Sequence, residues 1–153
     1  MTAVTQLLGC KHPVMLAGMK IAGPELAAAV SNAGGIGTIG GVTLTPEELK
    51  DDLDLLKSKL SDPKLPFGVD LLLPQVGGSA RKTNKDYTKG ELPELIDIII
   101  EEGASLFVSA VGVPPLFAVE KLHAAGIPVM SASPLCSSSE PASHSLTGCS
   151  VQT

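Results

Sequence analysis

The chain has 153 residues and a mass of 15.6 kDa, a length that suits one domain and excludes a large multidomain assembly. Its hydrophobic content of 44% and mean hydropathy of +0.30 exclude disorder as a description of the whole chain. The net charge of −5 and the aromatic content of 3% argue against a nucleic-acid partner, because phosphates attract basic surfaces and unpaired bases stack on aromatic rings.

No segment of the sequence predicts a membrane span. The best candidate, residues 21–42, contains a proline, a glutamate and six glycines, whereas a spanning helix needs about 18 or more uninterrupted apolar residues. The N-terminal residues show no basic segment ahead of an apolar run, so no secretory signal is predicted and we expect a cytoplasmic protein. Three cysteines without metal-binding spacing are expected to be free thiols: Cys10, Cys136 and Cys149.

Hydrophobic periodicity and turn residues predict five strands that alternate with four helices. The predicted strands cover residues 12–17, 36–39, 66–73, 105–111 and 127–131. The predicted helices cover residues 24–33, 45–60, 92–102 and 115–125. The second helix has the strongest signals, because Thr45 and Glu48 match a capping box and leucines recur after them at helical spacing.

A strand followed by a helix, repeated four times with a fifth strand begun, is typical of a parallel sheet built from βα units. The strand starts are spaced by roughly 30 residues, the length of one βαβ unit, and a complete eight-unit barrel needs about 250 residues. The pattern therefore predicts an α/β fold that is part of a TIM (β/α)8 barrel, with about four βα units, a fifth strand and parallel strands. Residues 1–130 would form this half-barrel.

Residues 131–153 break the pattern, with eight serines among 23 residues and no apolar period. Such a composition buries too little surface to offset its ordering entropy, so we expect a disordered tail.

The spelling G-x-G-x-x-G at residues 35–40 does not indicate dinucleotide binding, because that fingerprint follows a strand and opens a helix. Here a predicted helix precedes the glycines, which lie within the predicted strand. Small residues at such a place favour close packing inside a barrel or the close approach of a flat ligand.

Asp70 lies in the most apolar predicted strand, where an ionised carboxylate is costly without a partner. Strand alternation puts it on one face with Gly68 and Leu72, near the carboxyl end of the strand, where barrels place their sites. A functional carboxylate and a structural one bonded to loop amides are both compatible with this position.

The 17-residue loop 74–90 leaves the same end of that strand. Long loops without secondary structure are usually lids or disordered segments, and here a lid over an anionic ligand and a solvated loop both fit. The loop carries Tyr87 and four basic residues: Arg81, Lys82, Lys85 and Lys89.

The three histidines predict no catalytic base for a site at this end. His12 precedes the first strand, His123 lies on the fourth predicted helix and His144 lies in the tail. No Ser-His-Asp set, paired-carboxylate site or metal cluster can be assembled from the sequence.

The chain contains several blocks that together resemble the nitronate monooxygenase (2-nitropropane dioxygenase-like) family, whose members are FMN-dependent TIM barrels that oxidise alkyl nitronates. In order, the blocks are PVMLAGMKIAGPELAAAVSNAGGIGTIGGV, TPEEL, PFGVDLLLP, FVSAVGVPP and KLHAAGIPVM, and they span roughly residues 13–130. The loop in GVDLLLPQVGGSARKTN is similar to that of a fungal-type branch.

This resemblance implies FMN as the cofactor, with a small-molecule nitronate and O2 as reactants. The turn Ala17, Gly18, Met19 would lay its backbone against the flavin ring, and Asp70 would hydrogen-bond to the cofactor, with Lys20 as an additional candidate. The family more often has asparagine in place of Asp70. An ionised aspartate only accepts hydrogen bonds, so the flavin atom that Asp70 serves stays open.

The resemblance also implies a departure after the fifth strand. The family continues there into a glycine-rich GGH segment with the catalytic histidine and then into loops that hold the FMN phosphate, and residues 131–153 have no counterpart. We therefore expect a truncated, catalytically impaired enzyme in which no catalytic residue can be named. The alternatives are an FMN-dependent enoyl-ACP reductase-like enzyme and a non-catalytic half-barrel that self-associates through open sheet edges.

Overall fold

A computed structural model describes residues 2–74, 85–131 and 150–152 of the chain. None of the helices in these ranges is long and apolar enough to cross a membrane. In chain order, the elements are α1 (Ala3–Leu8), α2 (Pro24–Asn32), β1 (Gly37–Gly40), α3 (Pro46–Lys59), β2 (Phe67–Leu73), α4 (Leu92–Glu101), β3 (Leu106–Val111), α5 (Leu116–Ala124), β4 (Val129–Ser131) and β5 (Ser150–Gln152).

These strands form one sheet in the order β1-β2-β3-β4-β5. The first four are parallel, and a helix connects each to the next. The helices α2 to α5 begin and end within one residue of their predicted bounds. Four parallel strands with their connecting helices confirm the predicted α/β fold and form part of a barrel.

The predicted first strand, residues 12–17, is wrong in its extent. Only Met15 pairs with the sheet, through a single parallel bridge to Ile36. Pro13 has no N–H to donate to a ladder, and the N–H of Met19 turns back to the carbonyl two residues earlier, at 2.9 Å. The extended segment is therefore interrupted at both ends.

Helix α1 is not predicted by the sequence, because six residues are too few to show a helical period. The side chain of Thr2 caps it by accepting from the N–H of Thr5, and Gly9 ends it with a φ of 66°. Leu8 of this helix is buried, so α1 docks on the sheet through its last turn.

The predicted strands are parallel where they form, and a further strand that was not predicted, β5, pairs antiparallel with β4. The predicted tail of residues 131–153 therefore contains a short strand, Ser150–Gln152. Three residues are too few to give a recognisable period, and β4 offers them the unpaired backbone groups of a sheet edge. The other tail residues, 132–149 and 153, lie outside the described part of the chain.

The sheet separates two apolar layers. On the outer face Val69, Leu71 and Phe107 are fully buried in the core cluster shared with α2 to α5. On the inner face Leu106 and Val108 cluster with the end of α1. Helix α1 contacts the amino ends of the strands, so it does not cover the inner face at their carboxyl ends.

Ser31 of α2 ties that helix to two strands. Its hydroxyl donates to the carbonyl of Pro66 at 2.7 Å and accepts from the N–H of Gly37 at 3.0 Å. The side chain is fully buried, so no water can replace these two bonds without a rearrangement.

We expect Ser31→Ala to lower the free energy of unfolding by about 1 to 3 kcal/mol, because it leaves buried backbone groups without a partner. Urea denaturation measures the change. Ser58→Ala is the matched control, since Ser58 is exposed and bonds only to the carbonyl of Leu55 in its own helix, and it should stay within about 0.5 kcal/mol. Equal losses in the two variants would contradict the role assigned to Ser31.

Candidate functional site

Asp70 is a buried acid on the inner face of the sheet. It pairs in register with Gly40 of β1 and Val108 of β3, and only 8% of its surface is exposed. Its Oδ1 atom has no hydrogen-bond partner among the residues that the structure describes. Because buried polar oxygens in native folds are nearly always bonded, an unpartnered one points to a group that completes it.

The turn of residues 17–19 lies across the carboxyl ends of β1 and β2. Gly18 packs directly on Asp70, since a Cβ at Gly18 would lie 2.8 Å from Oδ2 and 2.9 Å from Cγ of that carboxyl. Gly40 admits the same turn, since a Cβ there would lie 2.5 Å from the carbonyl oxygen of Met19. The two glycines therefore let bare backbone lie against the sheet beside Asp70.

The structure brings the four predicted cofactor contacts, Ala17, Gly18, Met19 and Asp70, to this one place. Ala17 is exposed, and Met19 is 58% exposed. Lys20, the additional candidate, is exposed next to the turn. Their shared position fits a common ligand, and their role as flavin contacts stays a prediction.

Burial raises the pKa of the Asp70 carboxyl to about 7, because a charged carboxylate loses its hydration here and no described residue supplies a cation or a donor in exchange. The inner-face neighbours on the adjoining strands, Thr38, Gly40 and Val108, carry no charge. The carboxyl is therefore neutral in a large fraction of molecules at neutral pH.

This raised pKa predicts how stability depends on pH. The folded chain keeps the Asp70 proton up to about pH 7, whereas the unfolded chain releases it near its ordinary value of 3.8. Stability should therefore fall as the pH rises through this window, by up to about 4 kcal/mol.

We expect Asp70→Asn to remove this fall, because the amide cannot ionise. Urea denaturation at pH 4.5, 6 and 8 measures the slope, and Asp51→Asn, at an exposed position of α3, should keep the slope of the unmodified chain. If Asp70→Asn leaves the slope unchanged, Asp70 is not the buried acid that the geometry indicates.

Thr38 is a second polar residue of the inner face, and the sequence reasoning did not single it out. It is fully buried, and its Oγ1 has no hydrogen-bond partner in the described part of the chain. It pairs in register with Gly68, two residues before Asp70 on β2, so two unpartnered oxygens lie diagonally on adjacent strands. The sequence shows a single polar residue within GIGTIG, but its position next to Asp70 depends on the register of the strands.

The carboxyl end of β3 lies at the same end of the sheet as the carboxyl ends of β1 and β2. Val111 has a φ of 72°, a conformation that β-branched residues rarely adopt and that concentrates at functional sites. Gly112 packs on the end of β2, since a Cβ there would lie 2.8 Å from the carbonyl oxygen of Leu73. The carboxyl ends of β2 and β3 are thus held in close contact.

The predicted lid, the loop 74–90, is described only in part, because residues 75–84 with Arg81 and Lys82 lie outside the described ranges. Residues 85–90 form a turn in which Asp86 accepts from the N–H groups of Thr88 and Gly90, at 2.9 and 3.0 Å. A lid role stays a prediction.

The described histidines lie away from Asp70. The N–H of His12 bonds to the carbonyl of Gly34 at 2.9 Å, at the start of β1, and His123 lies on α5 in the outer layer. His144 lies outside the described residues. Over residues 2–74, 85–131 and 150–152, no group of three His, Cys, Asp or Glu residues could hold a metal ion.

A family model described as nitronate monooxygenase matches residues 1–142 of the chain. A relative from Rhodococcus jostii, named (3aS,4S,5R,7aS)-5-hydroxy-7a-methyl-1-oxo-octahydro-1H-indene-4-carboxyl-CoA dehydrogenase, is 34% identical over 130 residues, which cover 84% of this chain and 32% of that protein. A probable nitronate monooxygenase from Staphylococcus saprophyticus is 34% identical over 145 residues, with 79% of this chain and 39% of that protein covered. The chain thus spans about a third of the length of these relatives.

Solved structures show the same architecture. FabK from Thermotoga maritima is 32% identical, with a TM-score of 0.67 over 84% of this chain and 36% of that chain. A nitroalkane oxidase from Streptomyces ansochromogenes has a TM-score of 0.66 at 21% identity, over 84% of this chain and 41% of that chain, and this likeness supports the fold alone. The fungal-type branch suggested by the loop sequence stays a prediction.

Proposed function

This chain belongs to the nitronate monooxygenase family, and we propose that it is a flavin-dependent oxidoreductase that holds FMN at the carboxyl ends of β1 and β2 and oxidises alkyl nitronates with O2. The observation that carries this proposal is the unpartnered Oδ1 of Asp70 beside the Gly18 turn. A flavin has flat faces and a hydrogen-bonding edge, which suit bare backbone next to a buried carboxyl. Residues 1–130 would be the half-barrel that supplies these contacts.

Bound FMN would supply the redox chemistry, by taking electrons from the nitronate and passing them to O2. Asp70 would orient the ring through a hydrogen bond, and Gly18 would let backbone approach the ring face. Val108, buried next to Asp70 on β3, would keep water from the carboxyl. Because the described histidines lie elsewhere, this part of the fold contributes binding and orientation rather than a general base.

Oxygen consumption by the 153-residue chain with added FMN and propionate 3-nitronate tests the proposal. We expect a rate above that of FMN alone. It should be lower than the rate of the Staphylococcus saprophyticus relative by a factor of about 10² to 10⁴, which is what a positioned general base typically contributes. Asp70→Ala should reduce the rate by about tenfold or more, since a buried hydrogen bond to a ligand is worth on the order of 1.5 kcal/mol. A rate no greater than that of FMN alone would contradict the proposal.

A flavin enzyme that acts on an acyl thioester is the second candidate. The Rhodococcus jostii relative carries a CoA thioester in its name and is as similar to this chain as the probable nitronate monooxygenase is. Following the loss of NADH with an enoyl-CoA and added FMN under anaerobic conditions distinguishes the two substrate classes, because enoyl reduction consumes NADH rather than O2 and each candidate predicts turnover in only one of the two assays.

A non-catalytic, self-associating half-barrel is the candidate from another class. The inner face has an apolar groove of about 320 Å³ at the amino ends of its strands. The edge of β4 is paired with β5, and the apolar groove offers a further surface for association. The groove is lined by Ala3, Val4, Leu7, Leu8, Cys10, Pro13, Val14, Met15, Ile36, Leu106 and Met130.

We expect light scattering to show that the chain forms dimers or larger species, because the exposed side chains of this groove lose their contact with water on association. Val14→Glu, at a groove position that is 58% exposed, should shift the population toward monomer. Leu26→Glu, at a position of α2 that is 46% exposed, is the control and should not. A monodisperse monomer of 15.6 kDa would contradict self-association.

A further inference from the structure

Within residues 2–74 and 85–131, the surroundings of Asp70 offer no charge to an ionised carboxylate. β1 presents Thr38 and Gly40 to it, β3 presents Val108, and the turn of residues 17–19 presents backbone. Lys20, which follows that turn, is exposed, and the ion pairs of the described residues all lie on α3, α5 and α4 with its C-cap residue Glu102. An ionised Asp70 would therefore be a buried charge without a counter-ion.

We propose, building on the flavin site inferred above, that Asp70 acts as a neutral carboxylic acid that donates a hydrogen bond to an acceptor on the flavin ring, so that flavin binding takes up one proton wherever Asp70 of the flavin-free chain is ionised. The overall equilibrium starts from ionised Asp70, one proton from solvent and free flavin. It ends at the complex of protonated Asp70 with flavin. No covalent bond to the flavin forms or breaks. Oδ1 is the buried carboxyl oxygen that has no hydrogen-bond partner among the described residues.

The direction of the hydrogen bond follows from the two possible charge states. A carboxylate only accepts, so it would need a ring N–H, and its charge would stay buried without compensation. A neutral acid donates to the carbonyl oxygens and ring nitrogens that make up most of a flavin's polar edge. Thr38, also buried and unpartnered, gives this part of the inner face a second uncharged hydrogen-bonding group.

The dependence of riboflavin affinity on pH tests the proposal. Riboflavin has the ring of FMN without the phosphate, so its own titration does not intrude near neutral pH. Fluorescence titrations of the 153-residue chain between about pH 5.5 and 8.5 should give a constant Kd at low pH. Above the pKa of Asp70, which burial raises to about 7, the Kd should rise by about tenfold per pH unit.

Two variants control this titration. Asp70→Asn keeps a donor that cannot ionise, so its Kd should not change with pH, whereas Asp51→Asn on the exposed face of α3 should follow the unmodified chain. A Kd that falls as the pH rises, or the same pH dependence in the Asp70→Asn variant and the unmodified chain, would overturn the proposal.

A measurement without flavin separates this proposal from the flavin site itself. The ¹³C NMR signal of the Asp70 carboxyl carbon, assigned by its loss in Asp70→Asn, should titrate near neutral pH in the flavin-free chain. Titration at the ordinary value of 3.8 would overturn the neutral-acid proposal even if flavin binds. Binding of neither riboflavin nor FMN at any pH would instead contradict the flavin site, and the coupled proton uptake with it.

Discussion

Replacing Gly37 with alanine should unfold the chain or destabilise it by about 3 kcal/mol or more, the upper end of overpacking costs. A Cβ at Gly37 would lie 2.5 Å from the carbonyl carbon and 2.8 Å from the Cα of Ala27. These are backbone atoms of α2, which cannot move aside as a flexible side chain does. The helix would have to shift off β1, and the Ser31 bonds that join it to the sheet would break.

Urea denaturation followed by circular dichroism measures this effect. Gly23→Ala is the matched control, because the nearest atom to a Cβ there is Oε2 of Glu25 at 3.7 Å, an ordinary contact. It should cost less than about 1 kcal/mol as a change at a helix N-cap. Similar stabilities for Gly37→Ala and Gly23→Ala would show that α2 does not pack on β1 as closely as the structure places it.

Replacing Gly18 with alanine should weaken riboflavin binding by more than about tenfold, the equivalent of 1.4 kcal/mol. The added Cβ would fall within 3 Å of Cγ and Oδ2 of Asp70, so the turn and the carboxyl could not keep their present positions. Both the bare backbone and the unpartnered oxygen that define the site would be displaced together.

Fluorescence titration at pH 6, where the Asp70 carboxyl is largely neutral, measures this loss. Gly23→Ala serves again as the control and should bind riboflavin as the unmodified chain does. Urea denaturation of Gly18→Ala then separates a displaced site from a globally unfolded chain. A folded Gly18→Ala variant with unchanged affinity would show that flavin does not bind beside this turn.

The elements that the sequence predicts well are those with redundant signals. Helix α3 has a capping box at Thr45 and Glu48 that forms in the structure, together with a leucine stripe that is buried. Residues 12–17 had only an apolar pattern, which does not show that Pro13 and the following turn leave a single bridge. The pairing of β5 with β4 could not be predicted from the sequence either, because it depends on a sheet edge that exists only in the folded structure.

The candidate site likewise has one residue that the sequence predicts and others whose positions depend on the folded structure. Asp70 can be recognised from sequence because it is an acid in an apolar strand, where burying a charged side chain is energetically unfavourable. The contact of Gly18 with that acid, and the diagonal position of Thr38, depend on register and chain path. A fully buried threonine without a partner looks in sequence like any small strand residue.

A map of amide chemical shifts locates bound flavin residue by residue and so tests the proposed site at the carboxyl ends of β1 and β2. ¹H–¹⁵N spectra of the 153-residue chain should be recorded at pH 6 with increasing riboflavin. We expect the largest changes at Gly18, Met19, Gly40 and Asp70, with little change at Leu8 and Cys10 in the groove at the opposite ends of the strands. Changes confined to that groove, or no changes at saturating riboflavin, would contradict the proposed site.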